Sequence, residues 1–151
     1  MPDLTGAALQ LARIESDQLH LLNRFYKRHG HKGRARAEHR SFALQQQGEI
    51  IAALRLEPLP WGQLLRGLWV DKTLRGCGLG ARLLQQLHSE LIRSPCYCLP
   101  FDPQAGFYRK QGFIDARELA PPILYRQWQR YLQRGEQLQL MVYSDSIKPK
   151  Q

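Results

Sequence analysis

The feature that most constrains this chain is the run Arg75-Gly76-Cys77-Gly78-Leu79-Gly80, set between an apolar segment ending at Val70 and a helical pattern starting near Ala81. Glycines at this spacing let successive backbone N–H groups turn inward with no side chain in the way. The helix that follows adds the positive end of its dipole, so the loop suits a pyrophosphate. It is not a Walker loop, because no Gly-Lys-Ser/Thr follows. A dinucleotide turn is disfavoured by the antiparallel hairpin that precedes it and by the lack of an acidic residue about 20 positions on. A purely structural turn is the alternative.

The rest of the chain reads as a mixed α/β sheet domain. Ala7 to Ile14 predicts a first strand, and Ser16 and Asp17 are placed to cap a helix from Asp17 to His29 that Gly30 stops. Ser41–Gln46 and Glu49–Glu57 suit an antiparallel hairpin. A strand over Gln63–Val70 follows, in which Gly67 signals a bulge or the close approach of another backbone. Leu83, Leu84, Leu87, Leu91 and Ile92 recur at helical spacing from Ala81 through Arg93, before Pro95. Cys96–Phe101 reads as a strand, Pro103–Gln111 as a helix stopped by Gly112, and Phe113–Leu119 as a strand. Pro122–Arg134 carries an aromatic-rich apolar stripe, and Gln137–Tyr143 alternates as a last strand. Ser144 to Gln151 reads as a loose polar tail.

Size and composition narrow the function. With 151 residues there is room for one domain, 1–151. No apolar run approaches the ~20 residues needed to cross a bilayer. Met1-Pro2-Asp3-Leu4-Thr5 lacks the basic-then-apolar order of a signal peptide, which places the chain in the cytoplasm. The three cysteines, Cys77, Cys96 and Cys98, are too few for a disulfide scaffold and have no fourth soft ligand at zinc-like spacing, so buried inert thiols and no metal are expected. The net charge of +9 is concentrated in Arg24, Lys27, Arg28, Lys32, Arg34, Arg36 and Arg40. That stretch reads either as a solvated basic loop or as a surface that meets something anionic. It lacks the aromatic interleaving of a single-strand platform, which ranks nucleic-acid binding last.

The segment Leu68-Trp69-Val70-Asp71-Lys72-Thr73-Leu74-Arg75-Gly76-Cys77-Gly78-Leu79-Gly80-Ala81-Arg82-Leu83-Leu84 resembles the acetyl-CoA motif of the GNAT N-acetyltransferases, with Arg75, Gly78 and Gly80 on its consensus positions. Phe107-Tyr108-Arg109-Lys110-Gln111-Gly112-Phe113 resembles that family's second signature, in the expected order and separation. The resemblance implies a mixed, mostly antiparallel central sheet flanked by helices and splayed at the acyl-CoA site. It implies acetyl-CoA as co-substrate, with the pyrophosphate on backbone amides of Arg75, Gly76, Cys77, Gly78, Leu79, Gly80 and Ala81. Main-chain groups of Leu68 and Val70 should pair with the pantetheine arm. Tyr108 matches the tyrosine that commonly protonates the departing thiolate, and a phenol near its usual pKa of ~10 can do so.

Aminolysis also needs a neutral amine, and a carboxylate held near the acceptor, often acting through water, can take its proton. Glu57 is the preferred base and Asp71 the competing one, with His39 and Glu38 as outside candidates. An ion pair with Arg55 or a solvated strand end would equally explain Glu57. Two departures from the family stand out. Phe101 occupies the position where many relatives have Asn, with Asp102 beside it, and Ala120–Gly135 inserts a helix that could cover the acceptor, form a homodimer face or simply pack on the core. The expected activity is direct acetyl transfer to a primary amine, with no covalent intermediate on Cys77. Arg28, Lys32 and Arg34 favour an anionic small molecule or peptide as acceptor. The alternatives are an acyl-CoA sensor without turnover and a basic nucleic-acid-binding module.

Overall fold

The computed structural model describes residues 8–149. Ala7 of the predicted first strand, and the N-terminal residues read for a signal sequence, lie outside them. The elements in chain order are β1 (Leu9–Ile14), α1 (Leu19–Arg28), β2 (Arg40–Gln46), β3 (Glu49–Leu59), β4 (Gly62–Val70), α2 (Leu79–Gln86), α3 (His88–Leu91), β5 (Cys96–Cys98), α4 (Ala105–Lys110), β6 (Phe113–Asp115), α5 (Pro122–Gln133) and β7 (Met141–Tyr143). The seven strands follow the order β1-β2-β3-β4-β5-β7-β6. β4 and β5 pair in parallel, while β1 with β2, β2 with β3, β5 with β7 and β6 with β7 pair antiparallel. This is the mixed, mostly antiparallel sheet with flanking helices expected from the sequence.

Contacts divide the chain into two compact units, spanning Met1–Pro58 with Arg66–Gln86 and Leu59–Leu65 with Leu87–Gln151. In the first, α1 spaces Leu22, Phe25 and Tyr26 on one stripe, and all three are buried with Ile14, Ala35, Ala43 and Ala53. Ala43 and Ala53 face each other across β2 and β3. Their small side chains let the helix bring its aromatic residues close to the sheet. Each large apolar side chain buried here contributes about 1.5–3 kcal/mol.

Helix α1 ends as the sequence predicted, at a left-handed glycine. Gly30 has φ +84°, Gly30 N–H reaches Lys27 O at 3.4 Å, and His31 N–H reaches Tyr26 O at 2.9 Å, the paired bonds of a Schellman cap. Its start differs from expectation. Ser16–Gln18 form a separate 3₁₀ turn, and Glu15 N–H donates to Gln18 Oε1 at 3.3 Å, so neither Ser16 nor Asp17 caps α1.

In the second unit, Leu64, Tyr97, Ala116, Leu124, Leu140 and Val142 form the core, with Trp61, Tyr125 and Trp128 packed against it. Helix α5 thus packs on the core through Leu124, and Trp128 Nε1 donates to Leu138 O at 2.7 Å. Ile123 and Leu132 on the same helix are exposed. Gly62 (φ +149°) is required by close approach, since a Cβ there would sit on the Pro95 carbonyl.

Several boundaries shift, each for a local reason. The helix expected over Ala81–Arg93 is two: α2 begins earlier, at Leu79, and stops at Gln86, where the first unit ends and the second begins. Leu83, Leu84, Leu87 and Leu91 are nonetheless all buried, so periodicity located the apolar face correctly. Strand β5 stops at Cys98 because Pro100 has no N–H to continue the ladder, and Phe101 makes only an isolated bridge to Leu138. The helix expected from Pro103 begins as a 3₁₀ turn over Asp102–Gln104. β6 ends at Asp115, whose carboxylate accepts from Arg117 N–H at 3.1 Å and turns the chain. β7 is shorter than Gln137–Tyr143, although Gln139 N–H to Pro100 O (2.8 Å) extends the pairing irregularly. The tail reading needs correction at its start. Ser144–Ile147 form a 3₁₀ turn, in which buried Ser146 Oγ donates to Tyr143 O (2.6 Å) and accepts from Cys96 N–H (2.9 Å).

Candidate functional site

The first unit carries the end of β4 and the glycine loop. Leu68, Trp69 and Val70 are half-buried. Trp69 is fixed on three sides: its Nε1 donates to His29 O at 2.7 Å, the His31 ring lies 4.7 Å away, and the Arg75 guanidinium lies 5.4 Å over its ring. Arg75 Nε also donates to Val70 O at 3.3 Å. Just before these residues, Gly67 adopts φ +62°, and its carbonyl accepts from Tyr26 Oη at 2.8 Å. The close approach expected at Gly67 is therefore of the Tyr26 and Arg55 side chains rather than of another backbone.

After Val70 the chain turns through Lys72–Leu74, capped by Asp71, whose Oδ1 accepts from Thr73 N (2.8 Å) and Oγ1 (2.7 Å). Burial acts to raise the Asp71 carboxyl, but the Thr73 bonds and the nearby His29 and Arg28 outweigh it and hold it below its usual range. That capping role explains Asp71 without a part in proton transfer. Gly76 (φ +82°) and Gly78 (φ +80°) then lead into α2, with Arg82 N–H reaching Gly78 O at 3.0 Å. A Cβ at either glycine would meet no atom within 4 Å. Their glycine character thus serves backbone conformation and leaves the loop face open, and Arg75, Gly76, Cys77 and Gly78 are exposed. The amides of Leu79, Gly80 and Ala81 open the first turn of α2, where no intrahelical acceptor exists. Cys77 corrects one expectation: it is exposed, whereas Cys96 and Cys98 are buried, and burial with the neighbouring Cys96 pushes the Cys98 thiol up.

Glu57, expected to end its strand, lies two residues inside the end of β3 and is partly exposed. Its Oε1 accepts from Arg66 Nε at 2.7 Å, and its Oε2 lies 4.0 Å from His39 Nε2. The ion pair predicted with Arg55 is made with Arg66 instead. Arg55 is 4% exposed and serves another group of contacts. It donates to Arg34 O, lies 3.4 Å from His39 Nδ1 and 3.3 Å from His31 Nε2, and sits 5.3 Å over the Tyr26 ring. A guanidinium has donors only, so both imidazole nitrogens facing it are acceptors. Burial and then the Arg55 charge hold His31 down, to about 4, and lower His39, the latter partly offset by Glu57. Both rings are neutral at physiological pH, with the His39 Nε2 hydrogen facing Glu57. His39 accordingly offers no lone pair to an amine.

The basic stretch is anchored at several points. Asn23 grips Ala35 twice, Oδ1 accepting from Ala35 N–H at 2.7 Å and Nδ2 donating to Ala35 O at 3.2 Å. Arg28, Lys32 and Arg34 project from it, exposed. The sequence assigns no site role to Asn23 or His31 and offers Arg55 only as an ion-pair partner for Glu57. The available signal was Arg55 itself, a lone charge inside the apolar run Ile50–Leu56.

Tyr108 belongs to the second unit, buried on α4, with the Phe113 ring edge-on at 5.4 Å. Its phenol is not near its usual pKa: burial, then Cys98 and Cys96, push it well up, so the proton stays on oxygen at neutral pH. Gly112 (φ +96°) ends α4 and delivers Phe113 to β6. Phe101, at the position noted for Asn in relatives, is 53% exposed, and Asp102 Oδ1 accepts from Gln139 Nε2 at 2.6 Å. Among the described residues no group of three or more His, Cys, Asp or Glu is placed to hold a metal, and no helix is long and apolar enough to cross a membrane.

Comparison with known proteins agrees with this geometry. The fold resembles the ribosomal-protein-S18-alanine N-acetyltransferase of Escherichia coli, with a TM-score of 0.67 at 17% identity, over 94% of this chain and 97% of that one. It resembles the N-acetylglutamate synthase of Neisseria gonorrhoeae, crystallised with coenzyme A and N-acetyl-glutamate, with a TM-score of 0.65 at 18% identity, over 91% of this chain but only 35% of that one. A GNAT-family acetyltransferase of Staphylococcus aureus Mu50 gives a TM-score of 0.58 at 17% identity, over 76% of this chain and 90% of that one. No curated protein sequence matches significantly. The family model described as an acetyltransferase (GNAT) domain matches residues 37–115, which cover β2 through β6 and both sequence signatures. This chain belongs to the GNAT acetyltransferase family.

Proposed function

We propose that the chain transfers an acetyl group from acetyl-CoA directly to a primary amine, with no covalent intermediate. The observation that carries this reading is the open loop at Gly76–Gly78. Two left-handed glycines with nothing over them present backbone amides to solvent at the start of a helix, the arrangement that holds a pyrophosphate. The amides from Arg75 to Ala81 would bind the CoA pyrophosphate, and main-chain groups of Leu68 and Val70 the pantetheine. Arg75 Nε donates to Val70 O and leaves that carbonyl's second lone pair for the cofactor arm.

Tyr108 fills the family's proton-donor position. Burial keeps that phenol protonated and makes it a weaker acid, so handing its proton to the thiolate requires the thiolate to form desolvated as well, where its own proton affinity rises. Glu57 is the carboxylate we assign to the amine proton, acting through water from Oε2 while Arg66 holds Oε1. Arg28, Lys32 and Arg34 bias the acceptor toward an anionic amine, an attraction of the kind that steers encounter. One structural neighbour was crystallised with a dicarboxylate product, which fits that bias.

Calorimetry with acetyl-CoA tests the reading, with NADH as control. Micromolar binding by the wild type, abolished in a folded Gly78→Glu variant, is the expected result. Absence of binding to either acetyl-CoA or CoA by the folded wild type would sink it.

A further inference from the structure

Strand register decides what faces Glu57, the carboxylate assigned above to the amine proton. Arg40 pairs with Leu56 and Ser41 with Arg55 across β2 and β3, so His39, one residue before the strand begins, comes opposite Glu57. Residues two apart on a strand share a face, which sets His39 and Glu57 on the side that Ala43 and Ala53 bury against α1. The His39 backbone N–H donates to Arg36 O at 3.1 Å and fixes the turn that delivers the ring.

The imidazole stands between a cation and an anion. Arg55 Nη1 lies 3.4 Å from Nδ1, and Glu57 Oε2 lies 4.0 Å from Nε2. A guanidinium only donates, so Nδ1 accepts and the ring hydrogen sits on Nε2, toward the carboxylate. Burial, Arg55 and Arg66 lower the ring's pKa while Glu57 and Glu38 raise it, and the lowering side prevails. His39 therefore offers Glu57 a neutral N–H, whereas an imidazolium would tie up Oε2 in a second ion pair beside that of Arg66.

The His39 side chain is 4% exposed and that of Glu57 28%, so solvent reaches the pair from the Glu57 side. Their separation of 4.0 Å is too long for a direct hydrogen bond, and one water about 2.8–3.0 Å from each atom bridges it. Such a water accepts from Nε2–H, donates to Oε2 and keeps a lone pair for an incoming ammonium.

We propose that His39, its hydrogen locked on Nε2 by Arg55, is a positioning residue that holds the water through which Glu57 takes the acceptor's proton. The ammonium gives its proton to the water, the water gives one of its own to Oε2, and a neutral amine and a protonated Glu57 result. The proposal rests on the reading of Glu57 as the base.

The test uses the full chain and two substitutions that each keep half of the ring's bonding. In His39→Asn the side-chain oxygen stands where Nδ1 stood and still accepts from Arg55, but nothing reaches toward Glu57. In His39→Gln the amide nitrogen stands where Nε2 stood. With acetyl-CoA and a panel of dipeptides as acceptors, His39→Asn should lose roughly 10-fold in kcat at pH 7 with little change in the acceptor KM, and His39→Gln should recover most of that loss. The His39→Asn deficit should shrink above pH ~8, where a peptide amine is neutral without help, a response that a packing defect would not give. Equal losses in both variants at every pH would overturn the proposal, and so would wild-type rates in His39→Asn. Imidazole nitrogen shifts need no acceptor. At pH 7 they should show His39 neutral with its hydrogen on Nε2, and a hydrogen on Nδ1 or a charged ring would overturn the proposal. Glu57→Gln separates the two readings. If it loses kcat while His39→Asn does not, only this inference fails; if it keeps wild-type kcat, the assignment of the base fails and this inference with it.

Discussion

Replacing Gly67 by alanine should be the most damaging single-methyl change in the first unit. At φ +62° a non-glycine residue costs about 1–2 kcal/mol in the backbone alone. The new Cβ would also stand 2.7 Å from Tyr26 Oη and 2.8 Å from Arg55 Nε, both on buried side chains with little room to move. Forced displacement in a packed interior costs about 1–3 kcal/mol. The Tyr26 hydrogen bond to Gly67 O is worth a further ~0.5–1.5 kcal/mol if that displacement breaks it. The sum is roughly 3–6 kcal/mol, a large share of the ~5–15 kcal/mol that holds a typical domain together. Gly76→Ala is the matched control: its φ is +82° and its added Cβ meets nothing, so only the backbone cost of about 1–2 kcal/mol applies. Urea unfolding of both variants isolates the contact cost as their difference. Equal losses for the two would refute the argument that Tyr26 and Arg55 make Gly67 obligatory.

Two further outcomes follow from the same contacts. His31 in the folded protein titrates near 4 against about 6.5 when unfolded, so the unfolded chain binds the extra proton first. The stability this neutral ring contributes is complete above about pH 6.5 and is lost as pH falls toward 4; imidazole nitrogen shifts should show His31 still neutral at pH 5, and a protonated ring there would contradict the environment assigned to it. Exposed Cys77 should alkylate alone in the native protein, leaving buried Cys96 and Cys98 unmodified until denaturant is added, as counted by mass spectrometry. Saturating acetyl-CoA should slow Cys77 labelling several-fold; unchanged labelling at saturation would place the cofactor away from the loop.

The parts legible in the sequence were those carried by short-range physics. Alternation and helical periodicity located the apolar faces, and the buried set Leu83, Leu84, Leu87 and Leu91 shows the pattern holding even where the helix itself breaks at Gln86. Glycine and proline acted as punctuation because their effect is on their own backbone: Gly30 closes α1, and Gly76 and Gly78 shape the loop. Boundaries failed where a tertiary partner or a neighbouring turn competed, as at β6, which Asp115 and Arg117 end early.

Partner choice was not legible. Arg55 and Glu57, two residues apart with opposite charges, looked like a pair, yet Glu57 bonds Arg66 and Arg55 faces two histidines and a carbonyl. Register across three strands and the fold of the Gly30–His39 segment decide which ends meet, and neither is written in local spacing. Protonation was equally hidden. Tyr108 reads as an ordinary phenol and His31 as an ordinary imidazole, but burial moves one well up and the other to about 4. The sequence alone determined the sheet class, the glycine loop and the family signatures, because each is encoded within a few consecutive residues. Only the tertiary structure decided which charges are paired and which thiol is exposed, because burial and long-range pairing depend on residues far apart in the chain.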